Sequence, residues 1–288
     1  MAWRNVIISH HCKISSKLGS LLVQTIDNSY QIPLSDLDMV LIESPRAMIS
    51  THALSQLCDR NIAVIFCDER MQPMGQIMPF NGTDSQRAHI LNQMQWQEER
   101  KDMLWQSIVK AKICNQAYVL AQQDVADYDD VAKLADQVVP GDTNNREAVA
   151  AHMYFPRLFS YEFTRGDDEN PINSVLNYGY AILMSEVARQ ISVNGYLCHF
   201  GIHHDNVNNQ WNFPCDLMEP FRPIVDKFVI ENELKEINPE TKRKLVDLLL
   251  TPCPEYHTSL SLAIGKYVHD CISYLNGSEK LPTVELEQ

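Results

Sequence analysis

The chain has 288 residues, 45% hydrophobic and 21% charged, with a formal charge of −13. That length and apolar content suffice for one large core or two modest ones and exclude a disordered chain. No run approaches the roughly 18 uninterrupted apolar residues of a membrane helix, and the N-terminal MAWRNVIISHHCK lacks the apolar core of a signal peptide. A cytoplasmic protein without a membrane partner is therefore expected.

The acid excess is uneven. Residues 1–83 carry six basic and seven acidic side chains, the remainder 18 and 30, so acid-based chemistry is expected in the later part. Taken alone, an acidic chain argues against nucleic acid, because phosphate contacts need Lys and Arg. A carboxylate cluster that holds divalent cations also counts as acidic, however, and the ion reverses the local sign. The eight cysteines are scattered without a C-x-x-C pair. They are expected to be reduced, mostly buried thiols and not a zinc site.

NVIIS (5–9), SLLVQTI (20–26) and DMVLIES (38–44) are short runs rich in β-branched residues and predict strands. KLGS and DNS between them are turn chemistry. AMISTHALSQLCDRN (47–61) predicts one helix and IAVIFCD (62–68) a buried strand. Residues 1–80 thus predict a small, mostly β domain. Met71–Asp84, with two prolines and two glycines, predicts the domain boundary, and Asp84 or Ser85 the N-cap of the helix beyond it.

From residue 85 onward the apolar period changes from two to 3.6. Trp105, Ile108, Val109 and Ile113 share one helix face, and further helices are predicted over 146–163, 171–193, 220–234, 239–250 and 260–276. Residues 81–288 therefore predict an all-α domain. The fold class is α+β, a small N-terminal β domain followed by a larger helical one. The tail GSEKLPTVELEQ is short and polar and predicts a frayed end.

Two acids open the functional reading. Asn144-x-x-Glu147 and Asp216-x-x-Glu219 have the outline of a helix capping box, and capping is the ordinary reading of both. The polar loop GIHHDNVNNQWN precedes the second pair and holds His203, His204 and Asp205. A loop histidine followed by acids at a helix start can hold a divalent cation: carboxylates favour Mg²⁺ or Mn²⁺, and a histidine leans the choice toward Mn²⁺. Arg146, Arg157, Arg165 and Arg222 lie nearby in sequence and would either pair with acids or contact phosphate oxygens. Tyr154, Phe155, Tyr178 and Tyr180 are expected in the core, and Lys242-Arg243-Lys244 on a solvated helix face.

The order of these features, with NNRE before a helix, then GIHH, then DLMEPFRPIVD (216–226), resembles the Cas1 family of CRISPR-associated integrases, most closely its short type II-A members. REAVAAHMYF and NPINSVLNYGYAIL support the resemblance, which covers nearly the whole chain. It implies that Glu147, His204 and Glu219 bind a catalytic Mg²⁺ or Mn²⁺ ion, with Asp216 as a further acid that supports the site. His203 adjoins His204, and the resemblance leaves the register of the two open. The last acid of the family is Asp in other branches, so Glu219 is a longer variant.

The resemblance further implies spacer acquisition in CRISPR antiviral defence. The 3′-hydroxyl ends of a short double-stranded DNA fragment would attack phosphodiesters of the CRISPR repeat by transesterification. It also implies a homodimer joined through the β domains, two such dimers flanking a dimer of the small protein Cas2 in a hetero-hexamer. Two alternatives stand beside it: a metal-dependent DNA endonuclease using the same residues without strand transfer, and a non-catalytic DNA-binding scaffold in which both glutamates are caps.

Overall fold

Short β-branched runs separated by turn residues build the first of two units, Met1–Gly82; the second is Thr83–Gln288. The computed structural model describes residues 4–69, 73–77, 86–253 and 258–284. In the first unit, β1 (Arg4–Ile8), β2 (Lys13–Lys17), β3 (Ser20–Gln24), β4 (Ser29–Pro33), β5 (Leu37–Ile42) and β6 (Met48–Ile49) precede α1 (Thr51–Cys58), β7 (Ala63–Cys67) and β8 (Pro73–Ile77). They form two four-stranded sheets, ordered β1-β5-β7-β8 and β4-β3-β2-β6. β1, β5 and β7 run parallel, and β8 closes the first sheet antiparallel to β7. Ile14, Leu21, Leu37, Val40, Leu57 and Val64 join both sheets and α1 in one apolar core.

The β2–β3 hairpin turns at Leu18 and Gly19, both with positive φ (50° and 73°). That pair of angles matches the right-handed twist of the flanking strands and suits glycine at the second position. Two expectations change here. The helix expected over 47–61 is shorter, because Met48 and Ile49 pair with Lys13 and Ile14 of β2 and Ser50 caps α1 through the Ala53 amide. The boundary stretch is not all linker: Pro73–Ile77 is a strand. Asp84 and Ser85, the expected helix start, lie outside the described residues.

The second unit is helical: α2 (Gln86–Gln93), α3 (Glu98–Gln122), α4 (Tyr128–Ala135), α5 (Arg146–Leu158), α6 (Pro171–Val193), α7 (Asn212–Met218), α8 (Arg222–Glu231), α9 (Pro239–Asp247) and α10 (Leu260–Leu275). A two-stranded ribbon, β9 (Pro252–Cys253) with β10 (Thr258–Ser259), departs from the all-α expectation. α3 is the central helix. It contains neither Gly nor Pro, opens on Glu98 and Glu99, which suit the positive end of the helix dipole, and buries Trp105, Ile108, Val109 and Ile113. It packs against α4, α5, α8 and α10.

α6 begins where Asn170 accepts from the Ile172 amide and Pro171 takes the first helical position. The C-terminal stretch is docked up to Val284, contrary to the expectation of fraying. Ser107 donates to the Pro282 carbonyl and Asn115 to that of Val284. The eight cysteines are all free thiols. Among the described residues no helix is long and apolar enough to cross a membrane.

Candidate functional site

The sequence around Glu219 folds as it does because of its prolines. Pro220 and Pro223 have no N–H, so the carbonyls four residues earlier, those of Asp216 and Glu219, lose their α-helical donors. The chain tightens into a 3-10 turn over Glu219–Phe221 between α7 and α8. Asn115 of α3 donates to the Pro220 carbonyl at 2.8 Å and holds this turn against the central helix.

Asp216 is not a helix cap. It lies inside α7, 0% exposed, and its carboxylate reaches back to the loop before the helix. Oδ2 accepts from the amides of Ile202 (2.7 Å) and His203 (3.2 Å), and Oδ1 from the amide of His204 (3.0 Å) and its ring Nδ1 (2.6 Å). Gly201 opens this loop because a Cβ there would overlap the His204 carbonyl oxygen and Asp216 Oδ2.

Glu147 is not half of a capping box either. Asn145, the residue before α5, is left-handed and makes no side-chain cap. The cap comes from Asp142, whose Oδ1 and Oδ2 accept from the amides of Arg146 (2.8 Å) and Glu147 (3.0 Å). Asn144 instead donates to the Gln137 carbonyl. Both capping readings therefore fail, and both glutamate carboxylates are available for other contacts.

Those contacts converge. Lys112 of α3 donates through Nζ to Glu147 Oε1 and Glu219 Oε2, each at 2.5 Å. The second Glu219 oxygen, Oε1, accepts from Arg222 Nη1 at 2.8 Å. The Arg222 guanidinium lies over the Tyr180 ring at 4.2 Å. The Tyr180 and Tyr154 hydroxyls both donate to Asp226, Tyr154 at 3.0 Å. Burial by itself would push Glu219 up, but the charges of Arg222 and Lys112 and their hydrogen bonds outweigh it and hold this carboxyl well below the usual range. His204 is raised, chiefly by its hydrogen bond to Asp216, against the opposing effect of burial. The Asp216, Glu219 and Glu147 charges add to the rise.

The two histidines have different partners. The His203 ring stacks on Trp105, centroids 4.2 Å apart and planes within 5°. His204 turns Nδ1–H to Asp216 and leaves Nε2 for another ligand. Among the described residues no three His, Cys, Asp or Glu side chains lie close enough to hold one ion as they stand. Two carboxylates already share a cation, however, which is the ammonium of Lys112. An acid pair built around a positive charge, beside an imidazole whose far nitrogen is fixed by a carboxylate, is a donor set that suits Mg²⁺ or Mn²⁺.

Sequence reasoning missed Lys112 and Asp142. A signal for Lys112 existed: it falls among the buried positions of α3, and a lysine among apolar helix positions needs a carboxylate partner. Other expectations are corrected. Arg146, Arg157 and Arg165 bond to carbonyls and side-chain amides of Asn144, Asp127, Asn173 and Asn177; of these four arginines, Arg222 makes a direct ion pair with an acid among the described residues. The Lys242–Lys244 run is not one solvated face: Lys242 is buried, with its ammonium 5.6 Å from the Tyr178 ring centroid. Tyr154, Tyr178 and Tyr180 are core residues, as expected, whereas Phe155 is only partly buried.

The same fold occurs in solved structures of a casposase and of Cas1-containing proteins. A casposase bound to its integration product superposes with a TM-score of 0.79 at 20% identity, over 99% of this chain and 95% of that one. A chain of a Cas6-RT-Cas1–Cas2 complex gives 0.76 at 17% identity, over 97% of this chain and 36% of that longer one. At these identities the likeness shows the fold.

The family is shown by sequence: residues 6–244 match the model described as CRISPR associated protein Cas1, and the chain belongs to that family. A curated relative, the CRISPR-associated endonuclease Cas1 of Neisseria meningitidis serogroup C (strain 8013), is 37% identical over 279 residues, 93% of this chain and 90% of its own length.

Proposed function

We propose that this protein is the metal-dependent DNA integrase of CRISPR adaptation, and that Glu147, His204 and Glu219 form its reaction centre with Asp216 in support. The observation that carries the reading is the convergence of Glu147 and Glu219 on one buried cation, beside a histidine oriented by Asp216. The casposase whose fold it shares is bound to an integration product, and the relative in Neisseria is named an endonuclease. Both activities act on phosphodiesters.

In the proposed reaction a fragment's 3′-hydroxyl oxygen attacks a phosphodiester of the repeat. One P–O bond forms as another breaks, the released 3′-oxygen takes up a proton from solvent, and the attacking hydroxyl gives one up. The number of phosphodiester bonds is conserved, so no energy-rich co-substrate is required. Glu147, His204 and Glu219 would hold a Mg²⁺ or Mn²⁺ ion, which supplies Lewis-acid polarisation of phosphoryl oxygens when bound.

The chain's own residues do the rest. Asp216 keeps the His204 ring in one tautomer and orientation. Arg222 fixes Glu219 on its second oxygen. The Arg222 charge, held beside Glu219, would offset part of the negative charge gathered at the site. A homodimer joined through the β unit belongs to this reading, as does Cas2 as partner; the partner is supported by the Cas6-RT-Cas1–Cas2 complex, one chain of which shares this fold.

The test is strand transfer with Cas2, a short duplex with free 3′-hydroxyl ends and a repeat-containing plasmid, in Mn²⁺ or in EDTA. Joined product in Mn²⁺ only, lost in Glu219→Gln, is expected. Shortened strands without branched product would favour the endonuclease reading. Normal joining by Glu219→Gln would remove Glu219 from the site.

A further inference from the structure

We propose that Lys112 is a built-in counter-ion that occupies the place of the divalent ion between Glu147 and Glu219, so that an ion enters only as the ammonium swings aside. The inference rests on the metal reading above and adds a step to it.

Three observations carry it. First, the Lys112 side chain is 8% exposed and its Nζ makes one contact to each acid, both 2.5 Å. A single ammonium therefore sits at the point on which the two carboxylates converge, where a cation that both could ligate would also have to sit. Second, Lys112 lies in the middle of α3, whose neighbouring positions Ile108, Val109, Ala111 and Ile113 are buried. The backbone is thus held, and only the four-carbon stem can move. Third, the described donors do not converge as a set of three, which is the expected geometry when the two acids are drawn to an ammonium and the imidazole is turned to Asp216.

Arg222 cannot take the same role. It bonds the other oxygen of Glu219, and its guanidinium is stacked on Tyr180. Its bond to Glu219 does not compete with the shared position.

Physically, the arrangement solves a problem of the ion-free state. Glu219 is nearly fully buried, and two carboxylates aimed at one point repel unless a cation lies between them. An ammonium supplies one positive charge and three donors without a fixed coordination geometry. A divalent ion supplies twice the charge at similar distance and so displaces it. The consequence is a site that folds without metal and whose metal affinity is lowered by the competing lysine.

The experiment measures Mn²⁺ binding by calorimetry and by the loss of the free-ion electron paramagnetic resonance signal, at about pH 8. Wild type, Lys112→Met and Glu219→Gln are compared. Methionine keeps most of the stem volume and removes the charge. The expected result is Mn²⁺ binding roughly tenfold tighter in Lys112→Met than in wild type, equivalent to about 1.4 kcal/mol, and strongly weakened in Glu219→Gln.

A second measurement uses the wild-type protein. Lys112 is labelled with an amine-reactive reagent and quantified by mass spectrometry, and a several-fold rise in labelling on Mn²⁺ saturation is expected. That measurement decides the matter if Lys112→Met does not fold. Wild-type binding that is lost in Glu219→Gln but unchanged or weaker in Lys112→Met, or Lys112 labelling indifferent to Mn²⁺, overturns the counter-ion inference and leaves the metal site standing. Absence of Mn²⁺ binding by wild type overturns both.

Discussion

Replacing Asp216 with asparagine keeps its shape and removes its charge. The carboxylate accepts four hydrogen bonds, two on each oxygen, from the Ile202, His203 and His204 amides and His204 Nδ1. An amide offers one oxygen and one NH₂; with the NH₂ toward His204 the ring can change tautomer and accept at Nδ1, so that one backbone donor, the His204 amide, is left facing another donor. Such a loss costs about 1–3 kcal/mol, and Asp216→Asn is expected to lose about that much stability, read from the urea midpoint. A folded domain is stable by about 5–15 kcal/mol, so most of that range leaves a folded protein for the second assay.

That assay is the titration of His204 by NMR. The hydrogen bond to Asp216 is the largest cause of its raised pKa, and burial opposes it. In Asp216→Asn the pKa should fall from its wild-type position. The stability that the raised pKa contributes is present below the unfolded value and is lost as pH rises through the folded one. The stability gap between wild type and variant should therefore be wider near about pH 6 than near about pH 9. Strand transfer should fall by about 10–100-fold, as for loss of a group that orients a metal-binding histidine. An unchanged urea midpoint together with an unchanged His204 titration would refute the reasoning.

Gly201→Ala places a methyl against the His204 carbonyl oxygen and Asp216 Oδ2, neither of which is a flexible end; a loss of about 1–3 kcal/mol and reduced joining are expected in urea melts and strand-transfer gels. Asp226 is fully buried and its carboxyl is pushed up to about 6 by burial, despite the Tyr180, Arg222 and Tyr154 contacts that lower it. Between its unfolded value and about 6 the native state binds the extra proton, so stability should fall by about 3 kcal/mol as pH rises through that window. Asp226→Asn should remove that slope from the pH dependence of unfolding, and a slope identical to wild type would show that another group carries it.

Much of this molecule is written in local order along the chain. β-Branched runs and turn residues specify β1, β3, β5 and β7 of the first unit. Asn170 followed by Pro171 marks the start of α6, and the 3.6-residue period marks the buried face of α3, because caps, propensity and periodicity act between near neighbours. The residue types at Glu147, His204, Asp216 and Glu219 could likewise be singled out as acids and an imidazole near helix starts.

What those side chains do was decided by tertiary structure. Met48–Ile49 left the expected helix because β2 offered a pairing edge, and Lys242 is buried because Tyr178 packs beside it. The two glutamates look like caps in sequence. They are not, because Asp142 takes the amides of α5 and Asp216 turns back to the histidine loop. Their shared partner, Lys112, lies 35 and 107 residues away. Which carboxylate meets which cation depends on the packing of α3 against α5 and the 219–221 turn, and no pattern of neighbouring residues encodes a contact made across that distance.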